Sequence, residues 1–325
     1  MCFVFRNNPL KILITGGAGF IGSRLAQACI QAGHRVAVVD NLARGRCEHL
    51  PVGATFHNID ICDWAAIREV VKRERPNIIS HHAALVFVRE SQSFPGDYWR
   101  VNLDGTRNVM KAAKETDAEK FIFASSRGAV YGDLPGLPIR EDTPRLPRSP
   151  YGEAKMRAED ALLMDGDGLE IVILRYGNVY GPGQDHSVVT VFAAASRDSV
   201  PAVIFGDGSQ SRDYVYITDV VRANLLALKS GLSGIFNIGS AEEHSVLEVY
   251  RSVAANMQCG CAFGNHNGSD FGYHNSVSPL HLPDHPFEVR RNRLDIRRAR
   301  SILGWEPEVS YEEGVRLTVQ GVVGG

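Results

Sequence analysis

Three glycines, Gly16, Gly19 and Gly22, constrain the fold of this chain more than any other feature of its sequence. They follow a short apolar run, 11–15, that is typical of a buried strand, and they open a stretch, 21–32, with apolar residues at helical spacing. Glycine lets the backbone turn tightly, approach a phosphate closely and pack the helix against the strand. The helix N-terminus adds free N–H groups and the positive end of a dipole. The pattern predicts a phosphate-binding turn.

A carboxylate follows this turn at the distance that a dinucleotide-binding unit requires. The next strand-like run, 35–39, ends in Asp40, eighteen residues after Gly22. A carboxylate there binds the adenosine ribose of NAD and repels the 2′-phosphate of NADP. No basic residue directly follows Asp40. A glycine-rich loop alone could be an ordinary tight turn, but strand, loop, helix, strand and acid in this order predict that the chain binds NAD.

Strand-like and helical patterns alternate through the first half of the chain. Such alternation predicts an α/β fold, a Rossmann doubly wound parallel sheet, with ligands at the carboxyl ends of its strands. The expected strands are 11–15, 35–39, 54–59, 77–80, 120–124 and 169–175, and later 234–239. The expected helices are 21–32, 64–73, 98–116, 151–164 and 219–228. We expect an NAD-binding domain of 1–176 plus about 214–239, and a smaller C-terminal α/β substrate-binding lobe of 177–213 and 240–325.

Composition excludes several classes of function. The 325 residues are 44% hydrophobic and 22% charged with a net charge of −2, so no basic surface for nucleic acid or anionic membrane is indicated. No apolar stretch approaches the ~20 residues of a membrane span, and the N-terminus does not resemble a signal peptide. The six cysteines are scattered and are expected to be reduced. We expect a cytoplasmic protein.

Tyr151 and Lys155 form a Tyr-x-x-x-Lys pair at the start of a predicted helix. The spacing places both side chains on one face. A free tyrosine has a pKa of about 10, and an adjacent ammonium would lower that pKa by stabilising the phenolate. On its own the pair could be a chance occurrence on a solvated helix. After a dinucleotide motif, it predicts an acid/base couple.

These motifs, taken in order, resemble the extended short-chain dehydrogenase/reductase family, in particular its NAD-dependent nucleotide-sugar epimerases and dehydratases. The resemblance covers nearly the whole chain. It includes the segments 15–22, 40–42, 82–84, 88–91, 105–106, 125–126, 131–132, 149–152, 175–182, 206–208, 212–214 and 303–307, together with Asp60, Asn102 and Lys155.

The resemblance implies roles for individual residues. Tyr151 would be the acid/base toward a sugar hydroxyl, Lys155 would hold the nicotinamide ribose, and Ser126 would hydrogen-bond the reacting oxygen. The implied NAD-binding residues are Gly16, Gly19, Phe20, Ile21, Gly22, Asp40, Asn41, Asp60, Ile61, Ala83, Asn102, Tyr151 and Lys155. The implied nucleotide-sugar-binding residues are Val88, Ser126, Asn178, Arg212, Arg290 and Arg291. The resemblance also implies a homodimer formed through helices 98–116 and 151–164.

Two positions depart from the family pattern. The family places its catalytic hydroxyl four residues before the tyrosine of Tyr131-Gly132, where this chain has Arg127. Either Gly128 is an insertion and Ser126 remains catalytic, or an arginine occupies the site. Ser126 lies twenty-five residues before Tyr151, a normal family separation, which favours the insertion.

The second departure is His285, where many relatives have an arginine that binds the diphosphate. A histidine could make that contact only weakly. Arg290 or Arg291 could substitute for it, or the substrate could be unusual.

The loop after Ser126 also bears on the reaction. Dehydratases of the family place two acids there and decarboxylating relatives often place a glutamate, whereas 126–128 contain no carboxylate. We therefore expect NAD-dependent epimerisation, at carbon 4, of a nucleotide-diphosphate sugar, either a UDP-hexose or a UDP-hexuronate.

The alternatives are a dehydratase or net oxidoreductase, and a non-catalytic NAD-binding regulator. The intact Tyr151 and Lys155 pair argues against the regulator. No metal is expected, because Cys259, Cys261 and the histidines near them match no zinc spacing.

Overall fold

A computed structural model describes residues 9–133, 136–229, 231–259, 278–284 and 289–324. Its strands are Lys11–Thr15 (β1), Arg35–Asp40 (β2), Thr55–Asn58 (β3), Ile78–His81 (β4), Lys120–Ser126 (β5), Glu170–Tyr176 (β6), Asn178–Tyr180 (β7), Val203–Phe205 (β8), Ser211–Arg212 (β9), Tyr214–Tyr216 (β10), Gly234–Ile238 (β11), His244–Ser245 (β12) and Leu280–Leu282 (β13).

The α-helices are Phe20–Gln31 (α1), Trp64–Glu74 (α2), Val88–Ser93 (α3), Pro95–Trp99 (α4), Thr106–Lys114 (α5), Arg127–Tyr131 (α6), Pro150–Asp165 (α7), Val188–Arg197 (α8), Ile217–Ala227 (α9), Val246–Cys259 (α10) and Tyr311–Val323 (α11). Short 3₁₀ and π segments cover Cys47–His49, Arg100–Gly105 and Ala299–Leu303.

Within the described residues, seven strands form one parallel sheet in the order β11-β6-β5-β4-β1-β2-β3. The order reverses between β1 and β4, where neighbouring connections run in opposite directions. This is the doubly wound topology that the sequence predicts, and crevices for ligands lie at such a reversal. Each predicted strand of this sheet is confirmed to within two residues at either end.

Alternate residues of the strands pack into two cores on opposite faces of the sheet, as a side-chain period of two requires. Ile12, Ile14 and Val38 belong to one core, whereas Leu13 and Ile79 belong to the other. Because both faces are covered, central strands such as β1 and β2 are continuous apolar runs.

A third core is built from elements after β6. It includes Phe192 of α8, Ile204 of β8, Val249 of α10 and Val315 of α11. Helix α8 lies in the segment 177–212, which its Gly, Pro, Asp and Ser content predicts to be irregular. The side chain of Ser187 caps this helix by accepting from Thr190 N at 3.1 Å. The boundary between the two predicted domains stays a prediction.

The helix predicted over 98–116 is interrupted. It begins earlier, at α4, and passes through the π segment before α5. Gly105 lies so close to Ile61 that an added Cβ would be 2.6 Å from Ile61 Cδ1. The hydroxyl of Thr106 donates to Asn102 O at 2.7 Å. The first of these contacts is tertiary and the second is local to the helix, and a helical apolar period reveals neither.

Candidate functional site

A cavity of about 1180 Å³ lies at the carboxyl ends of the central strands. Gly16, Asp40 and Ser126, which end or follow β1, β2 and β5, all line it. Its other side is lined by later residues such as Asn178 and Arg212. The cavity therefore lies between the end of the parallel sheet and the elements that follow β6.

The glycine turn has the geometry of a close-packed strand–turn–helix unit. Gly16 has a φ of +68°, and an added Cβ would lie 2.6 Å from Ala83 N. A Cβ on Gly22 would lie 2.3 Å from Gly16 O. The turn leads into α1, whose first-turn N–H groups have no partner within the helix. Any larger residue at these two positions would displace the main chain.

Two carboxylates order the loops at one end of the cavity. Asp40 is buried and accepts from Ala18 N at 3.0 Å and from Leu42 N at 2.9 Å. Asp60 accepts from Cys62 N at 2.8 Å and from Asn41 Nδ2 at 3.2 Å. Burial opposes ionisation of Asp60, but these hydrogen bonds together with Arg100 hold the pKa of Asp60 below its usual value. Both side chains therefore fix the loops that would surround an adenosine.

Most of the predicted NAD-binding residues line this cavity. They are Gly16, Gly19, Phe20, Ile21, Gly22, Asp40, Asn41, Asp60, Ile61, Ala83, Tyr151 and Lys155. Asn102 does not line it. Its buried side chain accepts from Leu85 N at 2.8 Å and donates to Leu85 O at 2.9 Å, so it supports the loop after β4 instead.

The predicted substrate-binding residues divide into two groups. Val88, Ser126, Asn178 and Arg212 line the cavity. Arg290 and Arg291 lie outside it, because their exposed side chains form ion pairs with Asp284 and Glu243. The expectation that one of these two arginines substitutes for His285 therefore has no support from their placement. His285 itself lies outside the described residues.

Tyr151 is held at the start of α7 by the local sequence. The hydroxyl of Ser149 caps the helix by accepting from Gly152 N at 3.1 Å. Pro150 occupies the first turn, where a backbone N–H would have no partner within the helix. The hydroxyl of Ser126 hydrogen-bonds the phenol of Tyr151. Burial raises the pKa of Tyr151, and the hydrogen bond from Ser126 only partly offsets this. The expected lowering of this pKa by Lys155 stays a prediction.

Lys155 lies one helical turn after Tyr151 and is also buried. Its Nζ donates to Ala124 O at 2.8 Å and lies 4.6 Å from the centre of the Phe123 ring. Burial lowers the pKa of Lys155 to about 7, against the opposing charge of Glu159. The ammonium group is thus held close to its point of titration at neutral pH.

Glu159, which sequence reasoning missed, lies buried beneath this site and connects several of its elements. It is fully buried and pairs with Arg175 at 2.6 Å and with Arg145 at 3.2 Å. It also accepts from Ser125 Oγ at 2.5 Å. The sequence signal was present, because Glu159 follows Lys155 by four residues and so shares its helix face.

These contacts distinguish three neighbouring candidates for the catalytic hydroxyl position. Ser125 is bound to Glu159, and Ser126 is bound to Tyr151. Arg127 is fully buried outside the cavity lining, with the charge of Asp213 nearby. Burial lowers the pKa of Arg127 to about 9, although Asp213 opposes this. The geometry therefore favours the insertion and not an arginine beside Tyr151.

Two further observations concern the part of the chain that the structure describes. No helix there has the length and apolar content needed to cross a membrane. No three His, Cys, Asp or Glu side chains there are grouped so that they could hold a metal ion. Cys261 lies outside the described residues, and only the backbone of Cys259 is described.

Comparison with known proteins places the chain among related enzymes. Residues 12–239 match the NAD dependent epimerase/dehydratase family. The chain is 36% identical to UDP-glucose 4-epimerase of Mycolicibacterium smegmatis, covering 96% of this chain and 98% of that one. It is 33% identical to UDP-N-acetyl-alpha-D-glucosaminuronate decarboxylase of Bacillus cytotoxicus, covering 95% and 97%. The UDP-glucose 4-epimerase of Thermus thermophilus, solved in complex with NAD, superimposes with a TM-score of 0.88 at 36% identity, covering 97% and 100%.

Proposed function

This chain belongs to the NAD-dependent epimerase/dehydratase family, and we propose that it interconverts the two carbon-4 epimers of a UDP-sugar. The observation that carries the proposal is the contact between Ser126 and Tyr151, with Lys155 one turn away, inside the cavity that the glycine turn opens. The same relatives support UDP as the nucleotide and NAD as the cofactor.

The residues present fit NAD. The glycine turn leaves no room for a Cβ at Gly16 or Gly22, which brings the main chain close to a bound pyrophosphate. Asp40 lies at the end of β2, where it would face the adenosine ribose. When bound, NAD supplies a hydride acceptor that later acts as donor. The protein must therefore provide proton transfer and orientation.

Tyr151 would move the proton. Its phenolate oxygen takes the proton from the sugar hydroxyl while the hydrogen on the same carbon leaves as hydride, so that the C–OH becomes a ketone. The hydroxyl of Ser126 donates to the reacting oxygen and orients it. Lys155 favours the phenolate by its positive charge. The keto-sugar then rotates in the site, so that the hydride returns to its opposite face and Tyr151 gives its proton back.

Other reactions of the family need a further group. The family resemblance implies that loss of water or of carbon dioxide would require acidic side chains in the loop after the catalytic hydroxyl. Residues 126–128 are Ser, Arg and Gly and contribute none. A non-catalytic regulator would have no use for the buried Ser126–Tyr151 contact. Epimerisation without net oxidation is the reaction that these side chains support.

We also propose that the enzyme is a homodimer. The surface of α7 supports this proposal, because its last turn exposes Leu163 to 50% and Met164 to 75%. Adjacent apolar side chains exposed at one helix end favour burial against a partner. The paired surface would be formed by α7 together with the helical segment from α4 to α5. The two-lobed division and the cytoplasmic location stay predictions.

The proposal is tested by incubating the protein with NAD and a panel of UDP-sugars and separating the products by mass-resolved chromatography. We expect a new peak of unchanged mass and no net NADH. A product lighter by one water or by carbon dioxide would contradict the proposal. In parallel, Tyr151→Phe should still bind NAD while its turnover falls by at least ~100-fold.

A further inference from the structure

Most arginines of the cavity already interact with carboxylates of the protein. Of the described residues, six arginines line the cavity: Arg44, Arg46, Arg89, Arg100, Arg148 and Arg212. Arg44 donates to both oxygens of Glu90, at 2.7 and 2.6 Å, and Arg46 pairs with Asp185 at 2.7 Å. Arg100 and Arg148 also have carboxylate oxygens within 4.0 Å. A ligand that used these four cations would compete with an existing ion pair.

Arg89 differs from the other arginines of the cavity. Among the described residues it takes part in neither an ion pair nor a hydrogen bond, whereas Arg212 donates to Ser211 O at 2.8 Å. The contact of Arg89 is with the ring of Phe205, whose centre lies 3.8 Å from the Cζ atom of the guanidinium. An aromatic face attracts a cation but accepts none of the hydrogen bonds that its N–H groups can donate in the guanidinium plane. These donors therefore remain available to a ligand.

The contact between Arg89 and Phe205 joins two walls of the cavity. Arg89 is exposed on α3, which follows β4, whereas Phe205 ends β8. Both residues line the cavity. Phe205 follows Ile204 of the third core, and its carbonyl oxygen accepts from Gln210 Nε2 at 2.9 Å. The guanidinium of Arg89 is thus held against the wall formed by the elements after β6, away from the turn that would bind NAD.

This placement bears on the departure at position 285. The resemblance expects an arginine there for the diphosphate, but the chain has His285, and neither Arg290 nor Arg291 lines the cavity. A diphosphate is best bound by a guanidinium, because its paired N–H donors match two phosphate oxygens and each hydrogen bond is strengthened by charge. Arg89 offers such donors without an ion pair to break.

We infer that Arg89 binds the diphosphate of the nucleotide sugar, in place of the arginine that is missing at position 285. The inference rests on the proposed function and adds a substrate-binding residue to it. Phe205 orients the guanidinium at the cavity wall, and the guanidinium donates to the phosphate oxygens. The adjacent Val88, which the resemblance also implies in substrate binding, lines the same part of the chain.

Calorimetry of the NAD-loaded protein with UDP and with uridine tests this inference. We expect Arg89→Gln to weaken UDP binding by about 10- to 100-fold, as for the loss of hydrogen bonds to a charged group, and to change uridine binding by less than about twofold. Arg89→Lys should recover part of the lost affinity, because an ammonium keeps the charge but not the paired donors. Arg316→Gln, which removes an exposed arginine on α11, is the matched control and should bind UDP as the wild type does.

Three results would overturn the inference. The first is unchanged UDP affinity in Arg89→Gln. The second is tighter UDP binding by that variant, because Arg89 would then obstruct the ring of Phe205. The third is a parallel loss of NAD affinity, which would assign Arg89 to the pyrophosphate of the cofactor. A reaction product that has lost water, formed by a protein that needs Arg89 to bind UDP, would refute the proposed function and leave the inference standing.

Discussion

Ser125 and Ser126 are adjacent, yet their hydroxyls serve different groups. Ser126 hydrogen-bonds the phenol of Tyr151, whereas Ser125 donates to the buried Glu159. We expect Ser126→Ala to lower kcat by about 100-fold, because the reacting oxygen loses its oriented donor. Ser125→Ala should instead lower the unfolding free energy by about 1–3 kcal/mol, since a buried carboxylate loses a donor. Steady-state kinetics and urea unfolding separate the two effects. Equal kcat values for both variants would refute the assignment.

Lys155 gives a prediction about pH and stability. Its pKa in the folded protein is about 7, below that of an unfolded lysine. Between about pH 7 and pH 10 the unfolded chain therefore binds more protons, and this group's contribution to stability rises with pH; below pH 7 the cost of burying the ammonium is fully present.

The measurement is urea unfolding of the wild type and of Lys155→Met at pH 6 and pH 9. The stability of the wild type relative to this variant should increase at the higher pH. Lys72→Met, which removes a lysine 41% exposed, should show no such increase. A pH-independent difference for Lys155→Met would mean that the ammonium is not perturbed by burial.

At the residue scale, the sequence reveals which side chains can do chemistry more readily than which residues they contact. Tyr151 and Lys155 could be found from their spacing, taken together with the dinucleotide motif that precedes them. The pairing of Arg290 with Asp284 could not, because it joins exposed side chains through a loop conformation that no periodic pattern encodes. The burial of Arg127 was equally hidden, since a charged residue in a loop is normally solvated.

At the scale of elements, the glycine turn is the most exacting part of the structure. A Cβ at Gly22 would lie 2.3 Å from Gly16 O and 2.9 Å from Gly17 Cα, so the main chain must move. We expect Gly22→Ala to weaken NAD binding by at least about tenfold, because a pyrophosphate requires close approach of this backbone.

Gly96→Ala is the matched control, since Gly96 is also helical and an added Cβ would meet nothing within 4 Å. It should leave NAD affinity unchanged and raise stability by about 0.5–1 kcal/mol from helix propensity. Fluorescence titration with NAD measures both variants. Unchanged affinity in Gly22→Ala would show that the turn does not approach the cofactor.

The parallel sheet could be predicted from sequence because its central strands, such as β1 and β2, are buried on both faces and therefore appear as continuous apolar runs. Helix α8 could not, because Gly, Pro and Ser around it mask its apolar face. The interruption between α4 and α5 was hidden for another reason. It depends on contacts with residues far away in sequence, such as Ile61 against Gly105.

At the scale of the whole molecule, the proposed homodimer depends on the exposed end of α7. We expect light scattering to give twice the mass of one chain for the enzyme eluting from a size-exclusion column. The double variant Leu163→Asp with Met164→Asp should give the mass of a monomer. Ile302→Asp is the control, because Ile302 is 55% exposed on the segment before α11. That variant should remain dimeric. Persistence of the dimer in the double variant would place the interface elsewhere.

The central claim is that one carbon loses and regains the same hydrogen. The most direct test is to incubate the enzyme and NAD with the accepted UDP-sugar, deuterated at carbon 4, and to analyse the product by mass spectrometry and NMR. We predict that the epimer keeps the full label at carbon 4, because the hydride leaves and returns without meeting solvent. Loss of deuterium to water, or a product that has lost water or carbon dioxide, would contradict the account.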